Sequence, residues 1–272
     1  MDLATVIGIT IAVGGIVGGN IVEGGNPSAL VNLPGFLIVI IGTLGASIAS
    51  QPLSVLAGLP RALLTAFSPS NQHNPSETVE LFVRMSDKAR REGLLALEGD
   101  VPQIHDAFTR KGVQLMIDGT DPELLREIME IDAESMKHRH ERNYTVLEFM
   151  GGVAPTIGVL GAVMGLMTVM QHLNEPDQIG PGIATAFVAT FYGVASANVL
   201  FLPLARKLQA NSRNEQRYLQ LVIEGLMSIQ AGDNPRIVRE KLEGFLMPAE
   251  RTTTRYEEAG VAATPISRRE AA

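Results

Sequence analysis

The polar side chains inside four long apolar segments are the groups of this sequence best placed to do chemistry. In a lipid environment, a hydroxyl or an amide can pass a proton along a hydrogen-bond chain or supply an oxygen ligand to a cation. A mid-helix hydroxyl also commonly bonds to the carbonyl oxygen four residues earlier, so a structural role stays open. Seven such side chains lie in the third and fourth segments: Thr156, Thr168, Thr185, Thr190, Tyr192, Ser196 and Asn198.

Ionisable groups are missing from these segments, none of which contains Asp, Glu, Lys or Arg. A membrane protein that moves ions on its own side chains usually carries such a group at depth. A conducting role for this chain therefore requires an ionisable group from a partner. Outside the segments, His138 and His140 lie two residues apart. They would face different directions on a helix, so no metal site is predicted.

The apolar segments are long enough to span a bilayer as helices. They cover 3–22, 33–49, 153–173 and 182–204, and about twenty residues at roughly 1.5 Å each cross a hydrocarbon core of roughly 30 Å. The sequence therefore predicts an all-α integral membrane protein with four transmembrane helices and a helical cytoplasmic domain between spans two and three. The predicted organisation is a transmembrane hairpin at 1–49, a cytoplasmic helical domain at 50–150, a second transmembrane hairpin at 151–204, cytoplasmic C-terminal helices at 205–247 and a disordered tail at 248–272.

Basic residues set the predicted orientation. All 22 Lys and Arg residues lie between spans two and three or after span four. The loops at 23–32 and 174–181 carry only the acids Glu23, Glu175 and Asp177. The positive-inside rule therefore places both long regions, and with them both termini, in the cytoplasm.

Composition and missing motifs exclude several function classes. A net charge of -7 argues against nucleic-acid binding, and the absence of Cys excludes disulfides and thiolate metal sites. No Walker A loop, H-E-x-x-H or G-x-S-x-G motif occurs. The sequence therefore predicts no enzyme and no bound cofactor.

Small residues recur at helical spacing in every span. Such stripes let helix backbones approach closely, either within one chain or between copies, and the pattern leaves both open. The stripes are Gly8, Ala12, Gly15 and Gly19 in span one; Gly42, Ala46 and Ala49 in span two; Gly158, Gly161, Gly165 and Thr168 in span three; and Ala186, Thr190, Gly193 and Ala197 in span four.

The region between spans two and three reads as helical. The stretch from Pro52 to Phe67 predicts a connecting helix along the membrane surface. Asp121 and Pro122 predict a helix start, and no strong breaker separates that helix from span three. Charges of both signs crowd around Gly93, which fits either a solvated face or a docking surface.

Five stretches resemble the A subunit of the bacterial flagellar stator (the MotA/PomA type), within the wider MotA/TolQ/ExbB proton channel family. Together they cover roughly residues 1–247, although Ile41 stands where the family more usually has glycine and Glu92 where it has a more neutral residue. The stretches are 34–46 (PGFLIVIIGTLGA), 89–98 (ARREGLLALE), 154–165 (APTIGVLGAVMG), 189–206 (ATFYGVASANVLFLPLAR) and 232–242, which contains Asn-Pro-Arg.

The resemblance implies a mechanism and partners. In this family five A subunits surround two B subunits in the bacterial inner membrane, and each B subunit supplies one transmembrane helix with an ion-binding carboxylate. Ion passage is thought to turn the A ring, which pushes the flagellar rotor protein of the C-ring. By position, Arg90 and Glu98 match the rotor-contacting residues, with Arg91 as a weaker third.

The resemblance also implies an ion pathway. Pro155 and Pro203 match two prolines linked to the coupling of ion flow to torque. Thr190 matches a threonine that faces the ion-carrying carboxylate in sodium-driven members, whereas Ala162 replaces a second one. Since Na⁺ needs several oxygen ligands and a proton needs only a hydrogen-bonded path, the coupling ion is expected to be H⁺, with Na⁺ as the alternative.

Other functions stay open at this point. A motor subunit that powers outer-membrane transport or gliding belongs to the same wider family, but such relatives usually have three spans. A non-conducting membrane scaffold would not depend on Pro155 or Pro203. An intramembrane enzyme would need a base in the spans, and the spans contain none.

Overall fold

The computed structural model describes residues 2–67 and 74–247. Every element in those two ranges is helical, which confirms the all-α prediction. The predicted disordered tail, 248–272, lies outside the described residues.

The described residues contain ten α-helices and four other helical segments. Two of the connections are π-helices, Leu37–Ile41 between α2 and α3 and Ser196–Phe201 between α8 and α9, and two are 3₁₀ segments, Pro27–Leu30 and Leu94–Gln103. The α-helices are α1 Leu3–Val22, α2 Leu33–Phe36, α3 Gly42–Ser50, α4 Leu53–Ala66, α5 Pro75–Glu92, α6 Ala107–Ile117, α7 Pro122–Gln171, α8 Pro176–Ala195, α9 Leu202–Gln230 and α10 Pro235–Glu243.

Within the described residues, four helical segments are long and apolar enough to cross a membrane: Leu3–Val22, Pro27–Ser50, and parts of Pro122–Gln171 and Pro176–Gln230. This confirms the predicted number of spans. Helix α7 begins where Asp121 and Pro122 predicted, with Asp121 Oδ1 accepting the N–H of Glu123 at 2.9 Å. It continues unbroken to Gln171, as the sequence also predicted.

The described residues form two compact units. The first lies within Met1–Ser70 and Lys137–Ser212, and the second within Asn71–Met136 and Arg213–Ala272. Helices α7 and α9 contribute residues to both units. The first unit contains the apolar spans, and the second contains most of the region predicted to be cytoplasmic.

Glycines bring α7 and α8 together in the first unit. A Cβ added to Gly158 would lie 3.0 Å from the Ala189 carbonyl oxygen, and one added to Gly165 would lie 2.7 Å from the Ala186 nitrogen. Because the contact moves towards the start of α8 as it moves along α7, the two helices are antiparallel. The small-residue stripes of spans three and four are therefore an intrachain contact.

The second span packs beside this pair, and the first is less enclosed. Gly161 lies next to Ile38, and Gly42 next to Ile157. In α1 no residue is buried, and an added Cβ at Gly8 or Gly15 would meet nothing of the described chain within 4 Å. The stripe of span one is thus open to lipid or to another chain.

The second unit has a hydrophobic core to which several helices contribute. Phe82 of α5, Met129 of α7 and Leu226 of α9 are fully buried. Gly225 makes room for the Phe82 ring, since a Cβ there would lie 2.7 Å from ring atoms. Helix α10 is tied to α5 by a two-point ion pair between Arg239 and Glu80. The unit therefore holds the charged end of α5 on a rigid base.

Candidate functional site

Three of the four predicted ion-pathway residues lie on one side of the α7–α8 hairpin. Each follows by one position a residue at which α7 and α8 touch: Pro155 follows Ala154, Ala162 follows Gly161 and Thr190 follows Ala189. A Cβ added to Gly193 would lie 2.6 Å from the Ala154 carbonyl oxygen, and one added to Gly161 would lie 2.7 Å from the Ala189 Cβ. In an antiparallel pair of right-handed helices, the residue after a contact residue turns to the same side on both helices. Pro155, Ala162 and Thr190 therefore share one side.

These three residues are half-buried in the described chain. The second span lies on the other side of the hairpin, where Ile157 meets Gly42. The side that carries Pro155, Ala162 and Thr190 is thus not the side on which the second span packs. The spans contain no carboxylate, so an ion path along this side has oxygen groups but no ion carrier of its own.

Pro155 lies at a close contact between α7 and α8. A Cβ added to Gly193 would lie 3.2 Å from the Pro155 Cα and 2.6 Å from the Ala154 carbonyl oxygen. Proline donates no N–H, so the usual hydrogen bond to the carbonyl oxygen of Gly151 is missing. A weakened point in α7 therefore coincides with a backbone-to-backbone contact with α8.

Pro203 lies in a second irregular region. It is exposed in the first turn of α9, directly after the π-helix Ser196–Phe201. There the N–H of Leu202 bonds to the carbonyl oxygen of Ala197, five residues back. A π-turn widens the helix and commonly marks a functional position. The irregular region and the proline give span four a point at which it can bend.

Most polar side chains of spans three and four bond within their own helix. Thr190 Oγ1 donates to the Ala186 carbonyl oxygen at 3.1 Å, and Thr168 Oγ1 donates to that of Met164 at 3.2 Å. Ser196 and Asn198 bond in the same way to carbonyl oxygens three or four residues back. These side chains therefore do form the bonds to preceding carbonyl oxygens that are common for mid-helix hydroxyls. Each hydroxyl oxygen still keeps a lone pair that can accept a proton or contact a cation.

Thr185 Oγ1 also donates within its own helix, to the Pro181 carbonyl oxygen at 3.0 Å. Thr185 and Tyr192 differ from the others because they bond in addition to a residue outside α8 that the sequence did not single out. That residue is Asn32, whose side chain donates to Thr185 Oγ1 at 3.1 Å. Its place before Leu33-Pro34 is a helix-cap signal, but the signal does not name a distant partner.

The charged surface of the second unit combines paired and unpaired residues. Arg91 pairs with Asp87 at 3.0 Å, and Lys88 pairs with Asp100 at 2.9 Å. Among the described residues, the exposed side chains of Arg90 and Glu98 form no ion pair. Two opposite charges are thus free to meet a partner.

Two features hold these charges in place. Gly93 follows α5 with φ of 87°, a left-handed conformation that suits glycine, and turns the chain into the 3₁₀ segment. Leu97 is fully buried next to Glu98 and anchors that segment. Arg90 and Glu98 therefore project from a fixed turn.

The chain matches two family models. The MotA/TolQ/ExbB proton channel family matches residues 100–221, and the motility protein A N-terminal family matches residues 6–93.

Relatives and solved structures extend this likeness over nearly the whole chain. Motility protein A of Bacillus subtilis is 35% identical over 92% of this chain and 93% of its own. Motility protein A of Helicobacter pylori (strain 26695) is 35% identical over 94% of this chain and 100% of its own. The structure of C. jejuni MotAB has a TM-score of 0.86 at 33% identity and covers 91% of this chain and 97% of that one. The flagellar MotAB stator complex from Bacillus subtilis has a TM-score of 0.85 at 35% identity, covering 91% and 98%. The chain therefore belongs to the motility protein A family, within the MotA/TolQ/ExbB proton channel family.

Proposed function

We propose that this chain is the A-type stator subunit of a bacterial flagellar motor, and that with a B-type subunit it forms a channel that converts ion flow into torque. One observation carries the proposal. Pro155, Ala162 and Thr190 share one half-buried side of a hairpin whose spans contain no carboxylate. A partner helix with a carboxylate, lying along that side, would complete an ion path.

The B-type partner is supported by the solved relatives, which are MotAB complexes. The expected assembly is a ring of five A subunits around two B subunits. The open glycine stripe of α1 and the exposed apolar residues of α7 supply surface for contact with lipid or with further copies.

The coupling ion is a proton. Ala162 brings no oxygen to the side on which Thr190 lies, so this chain offers fewer ligands for Na⁺ than a chain with threonine at both positions. A proton needs only a hydrogen-bonded path, and the Thr190 hydroxyl oxygen can take part in one.

The chain is a multi-pass protein of the bacterial cytoplasmic membrane with both termini in the cytoplasm. Every Lys and Arg lies in the two long regions, and the two short loops have none. The second unit then faces the rotor, and the unpaired charges of Arg90 and Glu98 are its contacts with the rotor protein of the C-ring.

Complementation tests this function. A motile strain that lacks its own stator would express the chain together with its B-type partner, and the rotation of tethered cells would be measured. Sodium and the proton gradient would be varied separately. Rotation that persists without sodium and stops when the proton gradient collapses is expected.

Two outcomes contradict parts of the proposal. Rotation that follows sodium would overturn the assignment of the ion but keep the stator. Absence of rotation, or a B-type subunit that does not co-purify with well-expressed chain, would reject the stator itself.

A further inference from the structure

A loop before the second span is hydrogen-bonded to one face of α8. The Tyr192 hydroxyl donates to the Leu30 carbonyl oxygen at 2.5 Å, and the Asn32 backbone N–H donates to the same hydroxyl oxygen at 3.1 Å. The Asn32 side-chain amide donates to Thr185 Oγ1 at 3.1 Å. Three hydrogen bonds between distant parts of the chain therefore converge on Asn32 and Tyr192.

Asn32 is itself held firmly. Its Oδ1 accepts the N–H of Gly35 at 2.8 Å and so caps the start of α2. Gly35 is buried against α8, where an added Cβ would lie 3.3 Å from the Ala189 nitrogen. The Phe36 ring meets the Tyr192 ring edge-on, with centroids 6.3 Å apart. The loop is thus a rigid anchor rather than a passing contact.

The anchored face of α8 lies opposite Thr190. Thr185 and Tyr192 are seven residues apart and share a face, whereas Thr190 and Tyr192 are turned about 160° from each other at about 100° per residue. Thr190 and Tyr192 therefore flank the contact with α7 on its two sides. Whatever fixes the direction of Tyr192 also fixes the direction of Thr190.

The contact with α7 limits which face of α8 can meet α7, because only small residues fit there. Its α8 members are Gly182, Ala186, Ala189 and Gly193, which present no large side chains to interlock with the neighbouring helix. Hydrogen bonds are directional, and in lipid no water replaces one that is lost. The bonds of Asn32 and Tyr192 therefore add a directional restraint against rotation of α8 about its own axis.

We propose that Asn32 and Tyr192 are positioning residues for ion coupling. They set the rotation of span four and hold Thr190 towards the side on which the partner's helix lies. This inference rests on the proposed function, since it is that function which gives Thr190 its role. The π-helix and Pro203 follow Tyr192 along the same span, so span four is held at Tyr192 and can bend beyond it.

The direction of Thr190 can be measured without rotation. The chain has no cysteine, so Thr190→Cys introduces its single thiol. Membrane vesicles containing the full chain and its B-type partner would be treated with a small water-soluble methanethiosulfonate, and modification of this chain would be followed by mass. Adding Tyr192→Phe removes one hydroxyl and both of its hydrogen bonds. It is expected to slow the modification at least about fivefold, the factor that corresponds to a single net hydrogen bond. Adding Thr168→Val removes a hydroxyl bonded only within its own helix and is expected to change nothing.

A pair of conservative changes separates positioning from folding. Thr185→Ser keeps the acceptor for Asn32, and Thr185→Val removes it. With Thr190 intact, Tyr192→Phe and Thr185→Val are expected to slow the rotation of tethered cells, while Thr185→Ser turns normally and all variants co-purify with the B-type partner.

Two results would overturn the proposal. One is modification of the thiol at position 190 that is unchanged or faster when Tyr192→Phe is added, and the other is equal rotation of the two Thr185 variants. If the unsubstituted chain fails to rotate cells, the stator function fails, and the modification rates still decide whether Tyr192 sets the direction of position 190.

Discussion

Gly158 and Gly193 meet backbone to backbone across the contact between α7 and α8. A Cβ added to Gly193 would lie 3.0 Å from the Gly158 Cα and 2.6 Å from the Ala154 carbonyl oxygen. Both neighbours are main-chain atoms, so neither can move aside by a side-chain rotation. In lipid the hydrophobic effect does not drive helices together, so close backbone packing of this kind is a main source of helix association.

The substitution Gly193→Ala should therefore destabilise the first unit. The added methyl group forces α7 and α8 apart, and overpacking of a tight contact costs about 1–3 kcal/mol. Thermal unfolding of the detergent-solubilised chain measures the loss. Gly15→Ala is the matched control, since its Cβ would meet nothing of the described chain within 4 Å. Equal unfolding temperatures for the two variants would contradict the contact.

The small-residue stripes show what the sequence could and could not predict. Uncharged length predicted the spans, because hydropathy and helix rise are properties of a segment by itself. The stripes predicted close approach, but a glycine does not say which backbone approaches it. The structure places the stripes of spans three and four in an intrachain contact, whereas an added Cβ at Gly8 or Gly15 of span one would meet nothing of the described chain within 4 Å.

Two features of the site could not be predicted from the sequence, because both depend on contacts with distant parts of the chain. The π-helix before Pro203 depends on how span four accommodates its neighbours, and no periodicity in Ser196–Phe201 predicts it. The anchor at Asn32 joins residues 160 positions apart. Its members are common polar residues, and their role becomes visible only when the fold places them within hydrogen-bond distance.

The side shared by Ala162 and Thr190 leads to a prediction about the ion. Ala162→Thr places a second hydroxyl on that side, and a further oxygen ligand favours Na⁺. Rotation speed is expected to rise with external sodium at a fixed proton gradient, whereas the unsubstituted chain shows no such dependence.

Val163→Thr is the matched control for this experiment. It introduces the same hydroxyl at a neighbouring exposed position turned by about 100°. If rotation depended on sodium in both variants, the side chain at position 162 would not be specifically directed towards the ion path.

The unpaired charges of Arg90 and Glu98 predict a second functional effect. Arg90→Glu and Glu98→Lys should each lower torque, because reversal of a contact charge turns attraction into repulsion. Arg91→Ala should have a smaller effect, since Asp87 already holds the Arg91 guanidinium at 3.0 Å. Rotation of tethered cells under load measures torque, and the amount of chain in the membrane serves as the control. Full torque in both reversal variants would exclude these residues from the rotor contact.

The N-terminus of α1 gives a prediction about pH. Asp2 accepts a hydrogen bond from the Lys207 ammonium at 2.6 Å and another from Thr5 Oγ1 at 2.7 Å, and it caps α1 through Ala4. The hydrogen bond from Lys207 and then that from Thr5 hold the pKa of Asp2 below its usual 3.8. The charged carboxylate is thus preferred in the folded chain, and it ties the start of span one to the chain that follows span four.

A carboxylate whose pKa is lower in the folded chain than in the unfolded chain stabilises the fold at pH values above the unfolded pKa. This stabilisation is lost as the pH falls through the folded pKa. Asp2→Asn should therefore lower the unfolding temperature at neutral pH. The difference from the unsubstituted chain should shrink as the pH falls below 3.8, because the native carboxylate then becomes protonated as well. Unfolding of the solubilised chain between neutral pH and pH values below the folded pKa tests this. Glu23→Gln, an exposed carboxylate at the other end of the same helix, should give a much smaller change, and a constant deficit of Asp2→Asn at every pH would show that the Asp2 charge contributes nothing.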